Sequence, residues 1–237
     1  MEDKLKYKVV LFGDSISRGV VFDENKGKYT LLKDNYSALL KDKLNIEIYN
    51  ASRFGYTLVR GITKLTRDVI GNNPDIVLIE FGGNDCDFEW DKIADDPDKA
   101  YYPKTDFNTF EKTLKNLLEY LKDHSITPVL MSLPPIDCDR YLKWVSKFNI
   151  KSENNILKWL GSVSKIYWWQ ERYNSAILSI ADETNTRCID TRSAFLMQPD
   201  YKKYICVDGI HPNEEGHKII AKKIYSYITA KDSFLLK

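Results

Sequence analysis

Short apolar runs alternate along the chain with longer stretches in which apolar residues recur every three or four positions. The first pattern is that of strands buried on both faces, the second that of amphipathic helices. Strands are predicted at 8–12, 46–50, 76–81, 128–133 and 187–189, and helices at 31–44, 58–70, 107–124, 167–183 and 212–228. Strands that alternate with helices predict an α/β protein built on a parallel sheet. In such sheets ligands collect beyond the carboxyl ends of the strands. Two segments, 86–106 and 134–165, exceed what a minimal sandwich requires, and both leave that edge. The second carries Tyr141, Leu142, Val145 and Phe148, then Ile156, Leu157, Leu160 and Val163. These spacings predict two short amphipathic helices forming a cap over the ligand edge.

The length of 237 residues suits one domain covering 1–237, with a helical cap insertion at about 134–165. Thirty-five basic and thirty-four acidic side chains leave a net charge of +1, so no overall field would gather nucleic acid or anionic lipid. No apolar run approaches the roughly 20 residues of a membrane helix, and the first residues lack a charged-then-apolar signal pattern. The expectation is a cytoplasmic protein without membrane insertion. Cys86, Cys138, Cys188 and Cys206 show no CxxC spacing and read as reduced, structural thiols.

Four segments fall just after strands or in the last loop and carry candidate chemistry. Gly13-Asp14-Ser15 ends the first strand and exposes a hydroxyl at the ligand edge, with Asp14 expected to tie down the turn. After the second strand comes Asn50 and, five residues on, Gly55, a loop glycine able to present its backbone N–H. Gly82-Gly83-Asn84-Asp85 follows the third strand, where Asn84 can project an amide and Asp85 is expected to make an Asx-turn. Asp208-Gly209-Ile210-His211 places an acid and a base on one loop. Pro212 suits the first position of the last helix, with Glu214 and Glu215 in its first turn. His124 reads as a helix-end charge and His217 as a surface or packing residue. Acyl transfer needs a hydroxyl made nucleophilic by an imidazole, a carboxylate to orient that imidazole, and donors aimed at the developing oxyanion.

These blocks and their order resemble the SGNH, or GDSL-type, hydrolase family. Two features depart from better-known patterns: Ile16 stands where that family usually has Leu, and Ser17 breaks the GxSxG of α/β-hydrolases. The resemblance covers about 8–228. It implies a flavodoxin-like three-layer α/β/α sandwich with five parallel strands in the order 2-1-3-4-5. It also implies a serine esterase working through an acyl-enzyme intermediate, with Ser15, His211 and Asp208 catalytic. Ser15 N–H, Gly55 N–H and the Asn84 amide would form the oxyanion hole, with no cofactor and no metal. Two other classes remain open on the residues: a metal-dependent phosphoesterase using Asp14, Asn84, Asp85 and His211, and a flavodoxin-like nucleotide-binding module whose 13–19 loop cradles a phosphate. The substrate is expected to be a small-molecule or carbohydrate ester, with acyl chain, alcohol and oligomeric state left open. Trp144, Trp159, Trp168 and Trp169 are read first as packing residues, and the acidic 87–98 stretch as a solvated loop.

Overall fold

The computed structural model describes residues 6–237. Five strands, β1 (Tyr7–Gly13), β4 (Ile46–Asn50), β5 (Ile76–Glu80), β6 (Thr127–Met131) and β7 (Arg187–Ile189), form a parallel sheet in the order β4-β1-β5-β6-β7. Counting sheet strands alone, this is the expected 2-1-3-4-5 order. Alternate residues of β1 face opposite layers. Val10 and Phe12 pack beneath α3 (Leu58–Ile62), α5 (Phe107–Asp123) and α8 (Ser164–Glu183), while Val9 and Leu11 pack beneath α2 (Tyr36–Lys41) and α10 (Glu214–Lys231). That period of two on strands covered by helices on both faces makes the three layers.

The segment 20–31 departs from expectation. It forms an antiparallel hairpin of β2 (Val20–Asp23) and β3 (Lys28–Leu31), so the helix expected from 31 begins only at Tyr36. Asn35 stops it starting sooner, since its side chain caps the N–H groups of Ser37 and Ala38. The expected 58–70 helix is also divided: α3 ends at Ile62 and a π turn follows over Leu65–Val69. In the last helix Asn213 is the cap, accepting from Gly216 N at 3.0 Å. Pro212 therefore lies before the cap rather than at the first helical position, because Asn213 supplies the side-chain acceptor that a helix start needs.

Both long segments fold over the ligand edge. They supply α4 (Trp90–Asp95), α6 (Cys138–Val145) and α7 (Ile150–Leu160), whose apolar faces meet in a separate cluster around Phe88, Ile93, Leu142 and Ile156. Trp159 and Trp169 join that packing. Asp87 is no solvated loop residue: its carboxylate accepts from Trp90 Nε1 and Tyr141 Oη, both at 2.7 Å, and pairs with Lys104.

His217 is the packing residue of the final helix. It is fully buried, its ring stacks on Tyr36, and its Nδ1 accepts from Tyr36 N at 3.4 Å. The other ring nitrogen reaches no acceptor among the described residues. Burial, helped by the nearby His211, pulls its pKa from 6.5 down to about 4. Below about pH 6.5 the unfolded chain takes up a proton that the folded chain refuses until about pH 4. Stability is thus fully present above about pH 6.5 and falls with acidification. Urea unfolding at about pH 7.5 and pH 4.5 should show a smaller loss in His217→Gln than in the wild type, by about 2–3 kcal/mol. An equal loss in both proteins would show that the imidazole is not the group refused a proton.

Candidate active site

Ser15 is the first residue of α1 (Ser15–Arg18), at the carboxyl end of β1, an interior strand of the sheet. Asp14 caps this four-residue turn, its Oδ1 accepting from Ile16 N at 2.9 Å, which is the turn-fixing part expected of it. The hydroxyl is thereby held at the mouth of a cavity of about 130 Å³. Although 196 residues separate them, His211 Nε2 lies 2.8 Å from Ser15 Oγ. The other ring nitrogen, Nδ1, is 2.5 Å from Asp208 Oδ2.

The 208–211 loop has its own reasons for this shape. Asp208 Oδ1 accepts from the backbone N–H of both Ile210 and His211 at 3.1 Å. Cys206 N bonds His211 O, and Gly209 N bonds Cys206 O, closing the loop on itself. Gly209 has φ of +81°, and a Cβ there would lie 2.5 Å from Tyr141 N and 2.6 Å from Asp137 O. Only glycine fits. Asp137 N in turn donates to Gly209 O at 2.8 Å, so the start of the 134–165 segment braces the acid–base loop. Burial alone would push the Asp208 carboxyl up, but the His211 ring and the two backbone N–H groups outweigh it and hold it below the usual carboxylate range.

Gly55 and Asn84 line the same cavity as Ser15 and His211. Gly55 adopts φ of +70° with open space where a Cβ would lie, so the turn, not crowding, requires glycine. Its N–H meets no acceptor among the described residues. Asn84 Nδ2 donates one hydrogen to Asp14 Oδ2 at 3.1 Å, which fixes the amide plane and leaves the second hydrogen unspent. Asp85 does not form the expected Asx-turn. Its carboxylate spans to the start of α3, both oxygens accepting from Leu58 N at 3.0 and 3.1 Å. That position leaves it fully buried, and burial pushes its pKa up to about 7.

Two further residues belong to the site. Tyr29, from the hairpin, meets the His211 ring edge-on at 5.2 Å between centroids, and Phe54 stacks parallel to it at 6.1 Å. Burial, with the nearby Asp208 charge, raises the Tyr29 pKa. With these rings against it, His211 is buried. A sequence signal for the hairpin exists in Asn25-Lys26-Gly27 between Val20-Val21-Phe22 and Tyr29-Thr30-Leu31.

Beyond Ile210 the cavity meets a wider, open cleft of about 650 Å³ with Tyr29, Trp144, Phe148, Asp87, Asp91 and Lys104 on its walls. Trp90 and Trp144 both line this cleft, and Trp144 is set against Phe22, Tyr29 and Phe148. The inner cavity differs: Leu133, Ile136, Ile166 and Trp169 give it a largely apolar lining, with Gln170 beside them. Among the described residues no three His, Cys, Asp or Glu side chains are grouped to hold a metal ion, and no helix is long and apolar enough to cross a membrane.

A parallel-sheet sandwich with this edge defines a hydrolase class, and comparison with known proteins places the chain within it. A profile of the GDSL-like Lipase/Acylhydrolase family matches residues 11–219. The chain belongs to that family and is a carboxylic ester hydrolase. It is 24% identical over 225 residues to an acetylxylan esterase of Geobacillus stearothermophilus, covering 91% of this chain and 90% of that protein. It is also 24% identical over 216 residues to thioesterase 1/protease 1/lysophospholipase L1 of Escherichia coli strain K12, covering 90% and 79%. In fold it is similar to the crystal structure of a lipase/acylhydrolase from Enterococcus faecalis, with a TM-score of 0.68 at 21% identity over 98% of this chain and 97% of that one.

Proposed function

We propose that the chain is a serine esterase for short acyl groups carried on a carbohydrate or similarly polar alcohol. Ser15 attacks the ester carbonyl, His211 takes its proton through Nε2, and Asp208 holds the imidazole and stabilises the cation that forms. Ser15 N–H, Gly55 N–H and the free Asn84 hydrogen receive the oxyanion. The acyl-enzyme then reacts with water, activated by the same imidazole. The observation that carries this reading is the unbroken run Asp208 Oδ2, His211 Nδ1, His211 Nε2, Ser15 Oγ, at 2.5 and 2.8 Å, ending at a cavity. Neither a phosphoesterase nor a phosphate-cradling module would need that run.

Cavity size supports the acyl assignment. At about 130 Å³ the inner cavity is close to one that takes benzene, roughly 150 Å³, so it suits an acyl group of a few carbons and not a fatty chain. The aromatic cleft with carboxylates and two lysines suits a hydroxylated alcohol, which can stack on rings and bond to charges. Similarity to an acetylxylan esterase agrees with this. The test is kcat/KM for p-nitrophenyl esters of rising chain length, beside acetylated xylo-oligosaccharides. Overfilling a small apolar pocket costs about 1–3 kcal/mol, so activity should drop roughly 10- to 100-fold once the chain outgrows the cavity. A flat profile out to long chains would overturn the short-acyl assignment.

A further inference from the structure

Where the inner cavity meets the outer cleft, one hydrogen-bonded cluster belongs to both. Asp87, Trp90 and Tyr141 line the cavity that holds Ser15 and also the cleft beyond it. The donors around Asp87 can be counted. Its Oδ1 accepts from Trp90 Nε1 and from Tyr141 Oη, each at 2.7 Å, which fills both lone pairs of that oxygen. Its Oδ2 takes one hydrogen from Lys104 Nζ at 2.7 Å, and the two residues are joined again by Lys104 N donating to Asp87 O at 2.8 Å. Among the described residues nothing takes up the remaining acceptor site on Oδ2 or the other two hydrogens of Nζ. Both residues stand on the cleft wall. Adjacent hydroxyls of a sugar, each donor and acceptor at once, match that set, whereas an alkyl alcohol would leave it unmet.

The same cleft carries a second, independent feature. α6 ends at Val145, and the chain turns into α7 through Lys147 and Phe148, both with φ of +55°. A bulky side chain rarely takes that left-handed conformation, and helix ends that need it ordinarily use glycine or asparagine. Phe148 gains no burial in exchange: it is 68% exposed, with its ring edge-on to Trp144 at 6.1 Å between centroids. The turn is held by Phe148 N donating to Lys143 O at 2.9 Å and by Lys147 Nζ reaching Asp91 of α4 at 2.7 Å. An unfavourable backbone that keeps an aromatic ring in the open is what a ligand-binding wall requires and what packing does not.

We propose that the cleft is a glycan subsite: a neutral pyranose ring from the alcohol half of the ester lies on Phe148, with adjacent hydroxyls on Asp87 Oδ2 and Lys104 Nζ. This rests on the esterase reading given above and narrows its alcohol from any polar group to a sugar chain. Ring C–H groups meet the aromatic face while hydroxyls meet the charged pair, a division suited to a molecule with an apolar face and a polar edge. Asp87, Glu89 and Asp91 against Lys104 and Lys147 leave the cleft slightly negative, which disfavours an acidic sugar. Asp87 sets the specificity. Because Trp90 and Tyr141 hold Oδ1, the carboxylate is oriented before the ligand arrives, and little ordering cost falls on binding. Its place on both cavities lets a ring bound there keep its ester toward Ser15.

Titration calorimetry with xylotetraose and cellotetraose, which carry no ester, reads the subsite apart from the chemistry. At least one should bind the wild type saturably, and Phe148→Ala and Lys104→Met should each weaken that binding roughly 10-fold. Failure of both sugars to bind, or binding indifferent to both substitutions, overturns the subsite. Kinetics add a second reading, with p-nitrophenyl acetate beside an acetylated form of the sugar that binds, since the two share an acyl group. In each variant the loss of kcat/KM should be at least about tenfold greater on the sugar ester and should fall mainly on KM. Equal loss on both esters would show that these residues support the fold and not the sugar. Asp87→Asn should show the same selectivity, because its carbonyl oxygen would stay with Trp90 and Tyr141 while its NH₂ faced Lys104, donor against donor. If that variant does not fold, Phe148→Ala and Lys104→Met decide. A protein that binds the tetraose through Phe148 yet hydrolyses neither ester would sink the esterase reading and leave the subsite standing; hydrolysis of p-nitrophenyl acetate without sugar binding would do the reverse.

Discussion

Ser15→Ala should lower kcat by roughly 10⁵- to 10⁶-fold while the fold persists, and should abolish covalent labelling by a fluorophosphonate. The expectation comes from the hydroxyl's surroundings. Ser15 Oγ lies 2.8 Å from a ring nitrogen whose opposite nitrogen is bound to a buried carboxylate. A proton leaving Oγ therefore has a base in line and a counter-ion behind it. The methyl of alanine fits where the hydroxymethyl stood, so stability should change little and the loss should be chemical. The residual rate should remain above that in water, because the proposed donors would still bind the developing oxyanion. Mass mapping of the labelled wild type checks the assignment. A label on Ser17 or Ser132, both of which are buried in hydrogen bonds of their own, would remove Ser15 from the nucleophile's role.

The sheet was legible because its signal is local: apolar runs such as Val9-Val10-Leu11-Phe12 and Ile76-Val77-Leu78-Ile79 need burial on both faces, and only a covered parallel sheet provides it. Ser15, Gly55 and Asn84 were legible because each sits in a short block after a strand, where chain direction alone puts side chains at one edge, and Asp208 and His211 because one short loop carries both. What escaped depends on tertiary neighbours. Nothing local tells that Tyr29 will lie against a histidine 182 positions later, since hairpin placement over the last loop is decided by packing. Glu80 carries no local signal of its own, and only in the fold do Gly13 and Ser17 come beside it. Pro212 was a plausible helix start on propensity, but Asn213 offered the better cap. Asp85 could have closed a local turn, yet the bare N–H of Leu58 at the start of α3 competed for the same oxygens and won.

The 134–165 segment shows the same dependence. Its apolar spacing predicted helices, and helices formed. Their placement adds something the pattern did not contain, because Asp137 and Tyr141 close on Gly209 so tightly that the acid–base loop cannot relax away from Ser15. Arg140 continues the brace through Nη1 to Lys202 O and Ile205 O at 3.0 and 3.2 Å. Under the proposed function, lining of the cavity and support of the base are joined in one insertion. Changes there will move kcat as well as selectivity.

Asp208→Asn should reduce kcat by about 10⁴-fold with the fold intact, and the reason is the tautomer it would impose on His211. In the wild type Oδ1 accepts two backbone N–H groups while Oδ2 faces His211 Nδ1. An asparagine must keep its carbonyl oxygen toward Ile210 N and His211 N, because turning its NH₂ that way would set donors against donors. Its NH₂ then faces Nδ1 and donates, so the ring proton is driven to Nε2. A protonated Nε2 cannot accept from Ser15 Oγ, and the general base is lost although every atom stays in place. KM should change little, since the cavity walls are untouched. Asp208→Glu would misplace the oxygen instead, and comparing the two separates tautomer from distance. Near-wild-type kcat in Asp208→Asn, with circular dichroism and unfolding unchanged, would show that this carboxylate neither orients nor stabilises the base.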